Sequence, residues 1–358
     1  MGKGVRSGLI IVFLAIVCVL LFDFIDRRRE MRLFFVFPQE LNFRFTPAKP
    51  FLFSTLEGYF EDSGAKVDVI ARTYRTGEAV SPLLEAFAKD AFPKVLYWFG
   101  DPSELQNLGK MEASALVFSL YPVPLQLLAA HPQICSPYGS MESFTLAVRS
   151  LVESEKVGHL KIIVDSHHSF LGERVLEGLG VDFQWVPVEE AVKWSLDGVS
   201  APTPPSSSDA LFLFLCEPEW VTQIARAWEF SQFDRVILGP WSIPVDTFYT
   251  DTRTLAGIRF LLKPSLGTEA AYSWAEPVYP WVTYVVEASK AVFSDKGQSG
   301  VKPSADWFSR SARAISLLPQ EQRNAQSEAV WTLWEYTASG SLLKKRYDPI
   351  TQGWEGCP

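Results

Sequence analysis

The sequence predicts an α/β protein with two doubly wound parallel-sheet lobes and an interlobe cleft, preceded by an N-terminal transmembrane helix. Short apolar runs alternate with amphipathic segments from residue 32 onward, which is typical of parallel strands covered by helices on both faces. The alternation starts again after Pro137, so the 358 residues divide naturally into two lobes. An uninterrupted apolar run from Leu9 to Phe22 precedes both lobes.

The apolar run predicts an uncleaved membrane anchor within residues 1–30. Phe24 and Ile25 extend the run past Asp23, and they are not the small residues that signal peptidase requires. A cleaved signal peptide is the alternative interpretation. The flanking charges do not settle the orientation, because the basic residues after the run are more numerous than those before it but are diluted by acidic ones.

Lobe one is predicted to comprise residues 31–136 together with about 255–320. Its strands are short and apolar, and they end at proline, glycine or small polar residues. The predicted strands are Arg32–Pro38, Lys66–Arg72, Lys94–Phe99 and Leu116–Leu120, and the predicted helices are Pro50–Ser63 and Ser81–Asp90.

Lobe two is predicted to comprise residues 137–254 together with about 321–358. A loop rich in proline and serine, Ala201–Ser208, interrupts its alternation. The predicted strands are His159–Asp165, Asp182–Pro187, Asp209–Cys216 and Arg235–Leu238; the predicted helices are Ser143–Glu155, Phe170–Leu179, Glu189–Leu196 and Trp220–Phe230, with a later helix at Tyr279–Ala291.

Composition excludes several classes of protein. There are 33 Lys and Arg against 41 Asp and Glu, so the net charge is −8 and a nucleic-acid partner is not expected. The four cysteines are isolated, without a C-x-x-C pair for zinc or dithiol chemistry. No G-x-G-x-x-G, Walker lysine, H-E-x-x-H or G-x-S-x-G motif is present, so we predict no cofactor, no metal and no catalytic residue.

A few polar and aromatic residues follow the predicted strands directly. His167 and His168 come after a strand that ends at Asp165. Three interpretations of this pair are open: a polar loop at the surface, a ligand contact, or part of a metal site. A metal site is disfavoured, since adjacent side chains usually point apart. Asp101 either caps the next helix or holds a polar ligand, and Trp241 follows a strand in the same way. Glu217 and Glu219 flank Pro218 without any element to place a substrate between them.

The order of these segments resembles the type I periplasmic-binding-protein fold, in its branched-chain-amino-acid and sugar/LacI-like branches. The resemblance covers about residues 32–354, and it depends on order and spacing rather than on one motif. The segments that carry it are KVLYWFGDPSE (Lys94–Glu104), HPQICSPYGSMESF (His131–Phe144), VGHLKIIVDSHHSFLGERVLEGLG (Val157–Gly180), DALFLFLCEPEW (Asp209–Trp220), RVILGPW (Arg235–Trp241), EPVYPWVTYVVEASKAV (Glu276–Val292) and SGSLLKKRYDPITQGW (Ser339–Trp354).

This resemblance implies a solute-binding protein for ABC-type transport or sensing, read by a transporter permease or a signalling partner. It also implies a single-pass protein of the cytoplasmic membrane, with its body facing the periplasm or cell exterior. The expected ligand is small, polar, and neutral or cationic. The expected ligand-binding residues are Gly100, Asp101, Ser103, Ser136, Ser140, His168, Glu217 and Trp241.

Two other hypotheses remain open. An anchored two-lobed enzyme, such as a nucleotide-sugar glycosyltransferase, uses a similar cleft but needs a base and several donors for a diphosphate. A scaffold that has kept the fold and lost its ligand is the second. The family's tyrosine-aspartate-alanine pattern is replaced by Pro280 and Trp281 after Tyr279, and the Ser/Thr pair is only loosely matched.

Overall fold

A computed structural model describes most of the two predicted lobes. The described residues are 30–39, 49–61, 66–75, 77–90, 92, 94–109, 115–131, 133–136, 138–156, 158–176, 182–196, 210–228, 235–242, 257–262, 331–337 and 340–356. The predicted anchor and the predicted helix Tyr279–Ala291 lie outside these ranges.

The first sheet is fully parallel, with the strand order β2-β1-β3-β4-β5. Crossover helices connect its strands, as the alternating apolar pattern predicted. The elements in chain order are β1 (Glu30–Pro38), α1 (Lys49–Glu61), β2 (Lys66–Tyr74), α2 (Ser81–Lys89), β3 (Lys94–Trp98), a short 3₁₀ helix (Pro102–Asn107), β4 (Ala115–Ser119), α3 (Leu125–Ala130) and β5 (Ile134–Cys135).

The second sheet is mixed, with the strand order β13-β12-β11-β10-β9-β8-β6-β7. Its elements are α4 (Met141–Ser154), β6 (His159–Val164), α5 (Ser169–Leu176), β7 (Asp182–Pro187), α6 (Val188–Leu196), β8 (Ala210–Leu215), α7 (Pro218–Trp228), β9 (Val236–Leu238), a 3₁₀ turn (Pro240–Ser242), β10 (Arg259–Leu262), β11 (Thr332–Thr337), β12 (Gly340–Asp348) and β13 (Gly353–Gly356). The strands β6 to β10 pair in parallel.

Two features of the second sheet differ from a purely parallel lobe. The strands β10 to β13 pair antiparallel; β11, β12 and β13 follow one another closely in sequence, as antiparallel neighbours can, whereas β10 and β11 are far apart in the chain. Strand β10, which the sequence placed with lobe one, pairs with β9 in this sheet.

The core shows why both sheets need helices on both faces. Successive residues of β1 enter different apolar clusters: Leu33 and Phe35 face one, whereas Phe34 and Val36 face the other. Strand β8 alternates in the same way between two clusters. One cluster contains residues of both sheets, including Phe35, so the two sheets share a continuous apolar core.

The predicted localisation is corrected by the structure. We predicted a single-pass membrane protein, but no helix in the described ranges is both long enough and apolar enough to cross a membrane. The apolar run Leu9–Phe22 on which that prediction rested is not among the residues the structure describes. The prediction of a transmembrane helix therefore has no support from the fold.

Candidate functional site

The two sheets meet where the carboxyl ends of their parallel strands face each other. Tyr121 follows β4 of the first sheet, and His167 and His168 follow β6 of the second. The Tyr121 hydroxyl lies 3.2 Å from Nε2 of His167 and 3.1 Å from Nε2 of His168. All three side chains are almost fully buried. Together with Asp165 and Glu217, they form what we call the inter-sheet cluster.

Asp165 organises the second-sheet half of this cluster. Its Oδ1 accepts hydrogen bonds from the backbone N–H and from Nδ1 of His168, each at 2.8 Å, and its Oδ2 accepts one from the backbone N–H of Glu217 at 2.7 Å. One carboxylate thus ties the loop after β6 to the loop after β8. Burial opposes ionisation of Asp165, but the charge and hydrogen bonds of His168 outweigh it and hold the pKa of Asp165 below its usual value.

The bond to Asp165 also determines which ring nitrogen of His168 faces the first sheet. Because Nδ1 donates to the carboxylate, Nε2 is the ring nitrogen that faces Tyr121. The Tyr121 hydroxyl, which both donates and accepts, lies within hydrogen-bond distance of Nε2 of His168 and of Nε2 of His167. The two adjacent histidines therefore converge on one hydroxyl, contrary to our expectation that neighbouring side chains point apart.

Glu217 brings a second carboxylate to the cluster from the end of β8. Its Oε1 lies 3.8 Å from Nε2 of His168, and its side chain is 14% exposed. The preceding residue, Cys216, is fixed by Ser242, whose hydroxyl accepts from the Cys216 N–H and donates to the Phe214 carbonyl, each at 2.9 Å. The ligand atoms of His167, His168 and Glu217 all lie within 4.8 Å of one another.

Tyr121 is held firmly in the first sheet. Its carbonyl accepts hydrogen bonds from the hydroxyls of Ser119 at 3.0 Å and Ser136 at 2.8 Å. The Phe170 ring packs edge-on against its ring, with centroids 5.4 Å apart. The backbone of Tyr121 lies in the loop after β4 of the first sheet, while its ring and hydroxyl contact residues of the second.

The loop after β3 carries a second group of polar residues. Asp101 caps the short 3₁₀ helix: its carboxylate accepts from the backbone N–H of Ser103 at 2.8 Å and from the Ser103 hydroxyl at 2.6 Å. The Trp98 indole donates to the Asp101 carbonyl at 2.9 Å. The capping role that the sequence allowed for Asp101 is thus present in the structure.

Beside this loop, the Tyr74 hydroxyl donates to Glu104 at 3.1 Å. Burial raises the pKa of Glu104 to about 7, the Tyr74 hydrogen bond opposes that rise, and the nearby Asp101 carboxylate adds to it. Burial also raises the pKa of Tyr74 well above its usual range, and Glu104, Asp101 and Tyr121 reinforce the effect.

Gly100 is required here, because a Cβ at this position would lie 1.8 Å from the Tyr74 hydroxyl oxygen.

The structure brings some of the predicted site residues together and separates others. His168 and Glu217 belong to the inter-sheet cluster, and the Ser136 hydroxyl donates to the carbonyl of Tyr121 beside it. Gly100, Asp101 and Ser103 lie in the neighbouring loop. Ser140 is buried and caps α4, accepting from the Ser143 N–H at 3.1 Å, and Trp241 lies in the turn after β9.

Sequence reasoning missed Tyr121 and Asp165, although both follow the rule that selected His168. Each lies within two residues of the carboxyl end of a predicted parallel strand. Tyr121 directly follows the predicted strand Leu116–Leu120, and Asp165 is the last residue of the predicted strand His159–Asp165.

The fold is that of the type I periplasmic binding proteins, and solved structures share it over most of the chain. LivK, a leucine-binding protein from Thermotoga maritima, has a TM-score of 0.56 at 10% identity, covering 90% of this chain and 99% of its own. An extracellular ligand-binding receptor from Verminephrobacter eiseniae has a TM-score of 0.54 at 10% identity, covering 88% and 99%. An ABC-transporter substrate-binding protein from Aeropyrum pernix has a TM-score of 0.51 at 10% identity, covering 92% and 96%.

At 10% identity these structures show a common fold and nothing finer. No family model matches the chain, and no curated protein matches it in sequence. The function must therefore be argued from the site.

Proposed function

We propose that this protein is a solute-binding protein that holds a small polar ligand, neutral or cationic, between its two sheets and catalyses no reaction on it. One observation carries the proposal: the Tyr121 hydroxyl of the first sheet contacts His167 and His168 of the second. In open α/β sheets, ligands bind outside the carboxyl ends of the strands, and these residues lie at that position in both sheets.

The charges around this position favour a neutral or cationic ligand over a phosphate. Asp165 and Glu217 belong to the inter-sheet cluster, and Asp101 and Glu104 lie in the loop after β3. A buried anion facing several carboxylates would be strongly disfavoured, whereas a hydroxyl or ammonium group donates to them.

In this proposal the predicted residues have two kinds of role. His168, Glu217 and Trp241 contact the ligand from the second lobe, and Gly100 allows its close approach to the first. Asp101, Ser103, Ser136 and Ser140 hold the surrounding loops, since their side chains bond within the protein. Tyr121 contacts the ligand from the first lobe.

Ligand binding would act through closure of the two lobes. A ligand that bonds to both lobes at once stabilises the closed arrangement, because those contacts exist only when the strand ends approach. An ABC-transporter permease or a signalling partner would then recognise the closed form. The proposed partner is a protein that reads this closure, and nucleic acid is not part of the proposal.

Thermal unfolding of the purified full-length chain tests this proposal. We expect one or a few members of a panel of amino acids, amines, sugars and metal salts to raise the Tm. The variant His168→Gln should lose that response, and the exposed control Glu219→Gln should keep it. Equal responses in both variants would place the ligand elsewhere, and no response in the wild type would contradict solute binding.

A further inference from the structure

We propose that the inter-sheet cluster binds a divalent transition-metal ion of the Zn²⁺ class through His167, His168 and Glu217, with the Tyr121 hydroxyl as the fourth ligand. The inference rests on the proposed function and deepens it, because it names the chemical class of ligand for the same site. Two imidazole nitrogens with two oxygens suit Zn²⁺, Co²⁺ or Ni²⁺, whereas Ca²⁺ and Mg²⁺ prefer oxygen ligands throughout.

Three separations among the proposed ligand atoms are close to those of a tetrahedral site. Metal–ligand bonds of about 2.1 Å place neighbouring ligand atoms about 3.4 Å apart in a tetrahedron. The Tyr121 hydroxyl lies 3.2 and 3.1 Å from the two Nε2 atoms, and Oε1 of Glu217 lies 3.8 Å from Nε2 of His168. The separations among the His167, His168 and Glu217 atoms stay within 4.8 Å, so small side-chain rotations complete the site.

Asp165 supplies the supporting shell that such sites require. A histidine that ligates a metal through Nε2 usually donates Nδ1–H to a carboxylate, which fixes the ring and makes the ligand more basic. His168 makes this bond to Asp165 at 2.8 Å. The same carboxylate also accepts from the Glu217 backbone at 2.7 Å, so it positions two of the four proposed ligands.

Charge and burial favour a dication at this position. Asp165 and Glu217 place two carboxylates beside the two imidazoles, and Asp165, His167 and His168 are all buried. A bound M²⁺ neutralises both carboxylates in a poorly hydrated region, where opposite charges interact strongly. Because Tyr121 comes from the first sheet, the ion would also tie the two sheets together.

Isothermal titration of Zn²⁺ into the full-length, tag-free chain, stripped of metal beforehand with a chelator, tests the inference. We expect one equivalent to bind, with affinity lowered at least about 100-fold in His168→Gln and in Glu217→Gln, and about 10- to 100-fold in Asp165→Asn. The matched controls His159→Gln and Glu219→Gln change exposed residues of the same types, one at the opposite end of β6 and one two residues after Glu217, and they should bind like the wild type.

A second measurement keeps the test decisive if a buried variant fails to fold. Co²⁺ bound to the wild type should give the intense visible absorption of a four-coordinate site, and added Zn²⁺ should remove it. No Zn²⁺ binding by the wild type, unchanged binding in folded His168→Gln and Glu217→Gln, or only the weak spectrum of six-coordinate Co²⁺ would overturn the inference. A chain that binds an organic solute but no Zn²⁺ refutes the metal site and leaves solute binding intact.

Discussion

Tyr121 and His168 lie in different sheets, yet the tyrosine hydroxyl and the histidine Nε2 are 3.1 Å apart and both side chains are buried. Each residue follows the carboxyl end of a parallel strand, so the contact forms where the crossover helices leave both sheets uncovered. Any ligand that enters between the lobes at this point must contact or displace this pair. The pair therefore links the packing of the two sheets to binding.

We expect Tyr121→Phe to lower the free energy of unfolding by about 1–3 kcal/mol, because it leaves two buried imidazole nitrogens without the hydroxyl between them. Urea unfolding of the wild type, Tyr121→Phe, His168→Gln and the double variant measures the coupling between the two residues. We expect a coupling of about 0.5–3 kcal/mol, whereas strictly additive losses would mean that the contact contributes nothing to stability.

Gly100→Ala should destabilise the loop after β3 by about 1–3 kcal/mol, since the added methyl would lie 1.8 Å from the Tyr74 hydroxyl oxygen. Adding Tyr74→Phe should recover part of that loss by removing the oxygen that clashes. Gly58→Ala is the matched control: no atom lies within 4 Å of its added methyl, so a gain of about 0.5–1 kcal/mol is expected within α1. Similar losses from both alanine variants would refute this explanation of Gly100.

Glu104 should make stability decrease as the pH rises from about 4.5 to about 7. Its folded-state pKa is raised from 4.5 to about 7 by burial, so the unfolded chain loses this proton first and unfolding becomes more favourable. Allowing for partial exposure, we expect a change of about 1–2 kcal/mol across this range. Denaturant titrations at several pH values should show this dependence in the wild type and in Glu219→Gln, and its absence in Glu104→Gln.

Glu155 should have the opposite effect on the pH dependence of stability: its contribution should decrease as the pH falls. Burial opposes its ionisation, but Arg259 at 2.9 Å and Lys345 at 3.0 Å outweigh that effect and lower its pKa. Its contribution is therefore present above the unfolded value of 4.5 and is lost as the pH falls through the lower folded pKa. Glu155→Gln should cost about 1–3 kcal/mol near neutral pH and much less in acid. A cost that is the same at both pH values would contradict the ion-pair explanation.

The alternation of apolar runs was sufficient to predict the parallel part of both sheets. Buried parallel strands are apolar on both faces, as in Ala210–Leu215, and so they stand out from the helices between them. The antiparallel pairing of β10 with β11 was not predictable in the same way, since these strands are far apart in sequence. Pairing across such a distance depends on tertiary contacts rather than on local pattern.

Two of the five residues of the inter-sheet cluster were predictable from position alone. His168 and Glu217 were selected because they follow strands, and the structure places them 3.8 Å apart. The convergence of His167 and His168 was not predictable, because it depends on the loop conformation in which the His168 backbone N–H donates to the Asp165 carboxylate. The partner from the other sheet, Tyr121, becomes recognisable only once the two sheets are seen to face each other.

Native mass spectrometry of the purified full-length chain tests the central claim, a ligand held by the inter-sheet cluster, most directly. We predict that the wild type and Glu219→Gln carry an added mass, either a metal ion or a small solute, that disappears on denaturation. His168→Gln, still folded, should lack it. A folded wild-type chain that carries no added mass, and acquires none when offered Zn²⁺ or the solute panel, would contradict the claim.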